Sequence, residues 1–297
     1  MTAGGHVTRH LLRVLLKRAI EAAGETARPV GARVHEMRTA LKKARALLRL
    51  VRPPLGHRAR VAQRRLAAVA GRIGSVRDTG VVLDTFDHVA GPAGARSTEL
   101  SALRVRLDAR RRKVEQHART AKDLRRAGVI LRLEWRRAKK LLHHPIAPSA
   151  LATAFARTYR KARAAMNEAY RRDTIEAFHA WRKTVKTHAF QVALLAEGGV
   201  TDLEERRDPL DALGTALGDA HDLALLEQTI RAERAGVADP RGHERLLALI
   251  EARWRRLVRN ARPLGARLFA QRPGEVRRLV AGAGPWRRHM TGRGERL

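Results

Sequence analysis

Apolar positions return every three or four residues along almost the whole chain, the spacing of amphipathic helices. Leu11, Leu12, Leu15, Leu16 and Ile20 make the first such stripe, which ends at Gly24. A second helix is predicted from near Pro29 to just before Pro53 and Pro54, since proline suits a first turn and closes what precedes it. A third covers about Gly56 to Ile73. A fourth follows the Gly74-Ser75 break and runs to the turn after Ala90, and a long charged helix spans Ser97 to about Asp123. The pattern breaks around His143, His144, Pro145 and Pro148. Beyond it, helices are predicted at 149–171, 174–197, 203–217, 220–236 and 241–262, with a shorter one or two up to Ala283. No run alternates strictly enough to read as a strand, so the fold class is all-α.

The second half of the chain repeats the first. VHEMRTALKKARALL, with His35, aligns on FHAWRKTVKTHAFQV, with His179, at an offset of 179 − 35 = 144. AGRIGSVRDTGVVL, with Asp78, aligns on GTALGDAHDLALLE, with Asp222, at 222 − 78 = 144 again. Arg13 and Lys17 of the first helix fall on Arg157 and Lys161 in the same register. Two motif pairs on one gapless register point to duplication of a four-helix unit, each unit long enough for a small bundle. The expected organisation is therefore two tandem four-helix bundles related by a pseudo-twofold, residues 1–145 and 146–283. Residues 284–297 form a basic, poorly ordered tail.

Wound at about 100° per residue, the second helix carries His35, Arg38, Lys42, Arg45 and Arg49 within one narrow arc. Val34, Met37, Leu41, Ala44, Leu48 and Val51 fall on the adjoining arc, the face expected to pack inward. The cations form a ladder about 21 Å long at 1.5 Å rise per residue. Like charges at these spacings disfavour a lone helix, and a purely structural helix would intersperse Glu. The matching helix repeats the ladder in shorter form with His179, Arg182 and Lys186, with Lys183 beside it. Ala189 and Ala193 stand where Arg45 and Arg49 would recur. Phe178, Trp181, Val185 and Val192 make its buried face, and His188, among them, reads as a core histidine. Arg77-Asp78 and His221-Asp222 are placed near helix starts after Gly74 and Gly218. There an Asp would cap free N–H groups or hold a neighbouring Arg.

Charge then changes the picture. Lys and Arg total 62 against 29 acids, a net charge of +33 that opposes the compact state and calls for a polyanionic partner or abundant counterions. An arginine-rich soluble protein with no such partner is the bland alternative. Aromatic residues are only 4% of the chain, too few to provide stacking platforms for bases, and neither a helix-turn-helix signal nor zinc-finger spacing occurs. Non-specific nucleic-acid binding at low salt remains the competing expectation. The absence of cysteine removes disulfides, thiolate metal sites and thiol nucleophiles together. His6 and His10 are spaced i, i+4 but lack the intervening Glu of a zinc-protease helix. No apolar run is long enough to span a bilayer and the N-terminus lacks a secretory core, so a cytoplasmic protein without catalytic residues, metal or cofactor is expected.

At these residues the sequence resembles the conserved histidine α-helical domain, or CHAD domain, family. The matching pieces are His35-Glu36-Met37-Arg38 with Lys42, Lys43 and Arg45, then Ser75-Val76-Arg77-Asp78. In the second half they are Tyr159-Arg160 with Arg163, His179-Ala180-Trp181-Arg182-Lys183 with Lys186, and Leu217-Gly218-Asp219-Ala220-His221-Asp222. The resemblance covers roughly residues 6 to 270. It implies two four-helix bundles about a pseudo-twofold axis, with a central basic surface that binds inorganic polyphosphate, and association with polyphosphate granules and their proteins. The candidate contacts are then Arg13, Lys17, His35, Arg38, Lys42, Lys43, Arg45, Arg49 and Arg77 in the first half. Arg160, Arg163, His179, Arg182, Lys183, Lys186 and His221 complete the set in the second. Family members fused to a triphosphate tunnel domain carry an E-x-E signature that is not found in this sequence, and many have a further cation where Ala189 stands.

Overall fold

A computed structural model of the chain describes residues 3–94, 97–141, 146–232 and 240–282. The His143–Pro145 boundary and the 284–297 tail fall outside these residues, as does the side chain of His6. Eleven α helices and one 3-10 turn form, with no strand among the described residues. They are α1 (Ala3–Gly24), α2 (Val30–Leu50), α3 (Arg52–Arg72), α4 (Gly74–Gly94), α5 (Thr98–Gln116), α6 (Ala118–Leu141), α7 (Pro148–Arg172), α8 (Ile175–Glu197), α9 (Arg207–Ala232), α10 (Pro240–Leu268) and α11 (Pro273–Gly282). The 3-10 turn, Thr201–Arg206, lies between α8 and α9.

The apolar arcs pack as the pattern requires. Val34, Met37, Leu41, Ala44, Leu48 and Val51 are all fully buried, and so are Trp181, Val185 and Val192. Small side chains let the helices close up, Ala44, Ala152, Ala162 and Ala169 among them. Caps fix several ends. Ser97 accepts from the Leu100 N–H and Thr174 from the Ala177 N–H, each at 3.3 Å. Asp173 closes α7 in the left-handed region at φ 48°, its N–H reaching the Ala169 carbonyl.

Helix α1 packs along α2 and α6, and α7 packs in the same way along α8 and α11. The matching helices α2 and α8 meet each other, as do α4 and α9. One large apolar core runs through both halves of the chain, with Leu41 and Leu48 contributing from the first and Phe155 and Trp181 from the second. A smaller cluster joins the far ends of α4 and α9 to α5 and α10, through Phe86, Leu103, Leu226 and Ile250.

Element boundaries differ from expectation in three main places, the first being α6, which continues past Asp123 to Leu141 where no helix is expected. The predicted Ser97–Asp123 helix breaks at His117, which takes an extended backbone (φ −62°, ψ 129°) and accepts the Arg119 N–H on its Nδ1, so that α5 and α6 are separate. The helices predicted at 203–217 and 220–236 are one continuous helix from Arg207, because Gly218 stays helical where it was expected to break the chain.

Candidate anion-binding surface

Four helices meet where the two halves touch; α2, α4 and α8 bring cations to the junction and α9 brings an imidazole. Arg38 and Lys42 come from α2, Arg182 and Lys186 from α8, Arg77 from α4 and His221 from α9. Polar links fasten the junction. Gln191 of α8 donates to the Ala46 carbonyl of α2 at 2.9 Å in a buried position, and Arg49 donates to the Thr187 hydroxyl at 2.8 Å. Arg77 reaches across to Asp222 of α9, with its two terminal nitrogens 3.5 and 3.4 Å from one carboxylate oxygen. Asp222 is therefore in mid-helix holding an arginine of the other half and does not cap a helix start.

The local geometry repeats at the offset of the sequence repeat. Arg38 lies against Gly74, where a Cβ would stand 3.2 Å from its Nη1, and Arg182 lies against Gly218 at 3.9 Å from its Nε. Gly214 does the same for Lys186, with only 3.0 Å to the ammonium nitrogen. Bare backbone at these glycines lets long cations lie flat on α4 and α9. Arg38 uses one donor on the Ala70 carbonyl at 2.8 Å. The Nε of both Arg38 and Arg182, and Nδ1 of His179, are buried without a hydrogen-bond partner. Buried donors are nearly always paired, and the same unpaired state occurs at Arg13 Nε and Trp181 Nε1, so at the junction it counts together with the glycine contacts.

Electrostatics record the crowding. Lys42 is pushed down from 10.5 to about 8, first by desolvation and then by Arg182, Arg38, Arg77 and Lys186 around it. Burial likewise lowers Arg182 and Lys186, with neighbouring cations adding to the effect. The rings of His179 and His221 sit 4.1 Å apart, tilted by 34°. Burial, with repulsion from Lys183 and Arg182, holds His179 at about 4. Burial and then Arg182, His179, Arg77 and Lys183 hold His221 at about 3. Both imidazoles are neutral near pH 7, and an anion arriving among them would pull both values upward.

Not every predicted contact joins this cluster. His35 is exposed and lines a separate cleft with Arg18, Arg28 and Lys43, between α1 and α2. It differs from His179, whose ring stacks on His221; the counterpart of His221 in the first half is Arg77. Lys43 faces Phe190 at 5.9 Å, round the helix from Lys42. Arg13 stacks over Trp135 at 4.1 Å, and Lys17 pairs with Glu21 at 3.5 Å. Arg163 donates to the Gln271 carbonyl at 3.3 Å, near the end of α10, and Arg160 is exposed on α7. Arg45 and Arg49 continue the α2 ladder, both lowered by burial. The carboxylates of Asp219 and Asp222 also belong to the site, and burial first, then Asp222, raises Asp219. Sequence reasoning missed the cradling role of Gly214, and read Gly74 and Gly218 only as breaks. Their shared 144-residue offset was the available signal.

Among the described residues no group of three or more His, Asp or Glu could hold a metal ion, and no helix is long and apolar enough to cross a membrane. A family model described as CHAD domain matches residues 8–231, well over half of the chain. The match ends within α9, so α10 and α11 lie past it. No curated protein matches the chain.

Proposed function

Because the chain belongs to the CHAD domain family, a binding family and not a catalytic one, we propose that it binds inorganic polyphosphate along the basic surface between α2, α4, α8 and α9. The observation that carries this reading is the paired cation geometry, Arg38 on Gly74 and Arg182 on Gly218, each with a buried Nε lacking a partner. Such an array suits a ligand with one charge per repeat unit. Arginine can fork onto two phosphate oxygens while lysine acts as a mobile point charge. In this reading the halves 1–145 and 146–283 are duplicated helical bundles, and the ligand lies on the seam between them. The contacts are Arg38, Lys42, Arg77, His179, Arg182, Lys183, Lys186 and His221, extended along α2 by Arg45 and Arg49. The basic residues outside the cluster, Arg13, Lys17, His35, Lys43, Arg160 and Arg163, are secondary contacts in this reading. The biological role is targeting to, or organising, polyphosphate granules.

Cations that converge from three helices favour a flexible chain over a duplex whose persistence length is about 50 nm. The test is competition at about 150 mM salt, where non-specific phosphate contacts are already weakened. Labelled long-chain polyphosphate is challenged with duplex DNA and with RNA at equal phosphate concentration. Retention of polyphosphate against a large excess supports the reading. One-for-one displacement makes the protein a non-specific nucleic-acid binder, the reading that net charge alone would favour.

A further inference from the structure

A second cleft, with a lining distinct from the cation cluster, lies on the first half of the chain. It opens where the α3–α4 turn meets the α5–α6 turn and has a volume of about 1020 Å³. His117, at the break between α5 and α6, lines it. Its floor is apolar: Ile73 and Val76 are buried, and Val114 partly so. Arg72, Lys113, Lys122 and Arg126 stand around the rim, all exposed and none of them ion-paired among the described residues. Other polar groups there are already engaged. The Thr120 hydroxyl donates to the Val114 carbonyl at 2.6 Å, and Arg119 faces Asp123 at 3.8 Å. Ser75, which lines the cleft, and Arg77, which reaches Asp222, are about 200° apart on α4. The cleft lining shares no residue with the cation cluster, although the two adjoin at the α3–α4 turn, where Arg38 lies on Gly74 and the Ala70 carbonyl.

We propose that this cleft docks an acidic segment of a partner protein, with an apolar side chain seated on Ile73, Val76 and Val114 and flanking carboxylates on the rim cations. Three features select that occupant. A chain with a charge on every unit would leave the apolar floor unmatched. No aromatic side chain other than the imidazole of His117, already engaged as a cap, lines the cleft to stack a nucleotide base. The volume is at the top of the range for small-molecule pockets, about 300–1,000 Å³, and suits a peptide segment better. Long, mobile Lys and Arg around an apolar floor accept carboxylates at varied spacing and still neutralise charge. The protein then has two separate surfaces, and this inference does not depend on which polyanion the first one takes.

The test uses the full-length chain and fluorescence polarisation of a short Asp/Glu-rich peptide carrying one central Leu, beside the same peptide with Ser in place of Leu. Burial of the Leu predicts binding tighter by about tenfold than the Ser version. Reversing the rim with Lys113→Glu, Lys122→Glu and Arg126→Glu together should cost a further loss of at least about tenfold. The same number of reversals farther along α6, Arg132→Glu, Arg136→Glu and Lys140→Glu, should cost much less. Arg38→Glu with Arg182→Glu should also leave peptide binding within about twofold. Thermal melts establish that each variant is folded, and single Lys122→Glu and Arg126→Glu variants replace the triple if it is not. Equal binding of the Leu and Ser peptides overturns the proposal, as does equal weakening by the two α6 sets. Loss of peptide binding in the Arg38/Arg182 variant would place the peptide on the cation cluster and overturn it as well.

Discussion

Replacing Lys42 by Met should make the protein more stable and a poorer binder at the same time. Lys42 ionises at about 8 in the folded state against 10.5 ordinarily, so its charged form is disfavoured by folding. At about 1.4 kcal/mol per tenfold this is a few kcal/mol before solvent screening. Lys42 is exposed, so the expected gain from removing the charge is discounted to about 1 kcal/mol. For a chain of this size that raises Tm by about 2–4 °C at low salt, measured by circular dichroism or calorimetry. Because the folded value lies below the unfolded one, the unfolded state binds more protons between pH 8 and 10.5, and stability of the native protein rises with pH across that window. The Met variant lacks this rise, so its advantage should be present near pH 7 and fade toward pH 10.5. Added salt should also shrink it by screening the repulsion from Arg38, Arg77, Arg182 and Lys186. In parallel, the slope of log affinity for polyphosphate against log salt should fall by roughly one counterion. An unchanged or lower Tm at low salt would refute the view that the cations repel one another in the unliganded protein.

Arg38→Glu and Arg182→Glu should each weaken polyphosphate binding and reduce its salt slope, whereas reversing exposed arginines of α5, such as Arg106 or Arg110, should do less; titrations at several salt concentrations separate the two. His179 at about 4 and His221 at about 3 are neutral at pH 7 and gain protons only when an anion raises them, so affinity should increase as pH falls from 8 toward 5. His179→Gln with His221→Gln should flatten that profile. His188 is fully buried, held at about 3 mainly by burial, with neither ring nitrogen hydrogen-bonded. With these three values below the unfolded 6.5, the unfolded state binds more protons at acid pH, and stability should be lost as pH falls through that window; His188→Leu should raise Tm and soften the loss. Gly265→Ala would place a Cβ 2.7 Å from the Trp181 ring and 2.8 Å from the Met166 sulfur, so it should cost about 1–3 kcal/mol by overpacking, read as a lower Tm, in spite of its better helix propensity.

The helical arcs could be read directly from sequence because their physics is local. Val34, Met37, Leu41 and Leu48 are spaced for one face, and that face is buried. The cation ladder of Arg38 and Lys42 was legible for the same reason, and its partner of Arg182 and Lys186 followed from the repeat. What stayed hidden depended on which surfaces meet. Periodicity places His35 and His179 alike, yet His179 stacks on His221 while His35 lines the cleft between α1 and α2. Arg13 matched its repeat partner in register but turns to Trp135, a contact set by the packing of α1 on α6. The break at His117 was invisible because the flanking charged residues propagate helix equally well on either side, and the imidazole cap that stabilises the break is a single contact. The continuity of α9 went against the usual weight given to glycine. Gly214 and Gly218 are tolerated there because Lys186 and Arg182 lie across them.

The arrangement of charge at the seam has a consequence for how binding and folding are joined. Cations brought together by α2, α4 and α8 repel one another, and the cost is borne by the apolar core that continues beneath them through both halves. Arg77 and Asp222 are the ion pair across the seam among the described residues, and their separation of 3.4 Å is long for such a pair. A polyanion seated there would neutralise the repulsion and give Arg38 and Arg182 acceptors in place of crowded neighbours. It would bind the assembled halves and have little affinity for either half alone. By mass action it would therefore raise stability in proportion to the logarithm of its concentration over Kd. A binding surface placed on one half would have no such coupling. The ladders of α2 and α8 lie side by side, so a site built from both would exist only when the two halves of the chain have packed on each other.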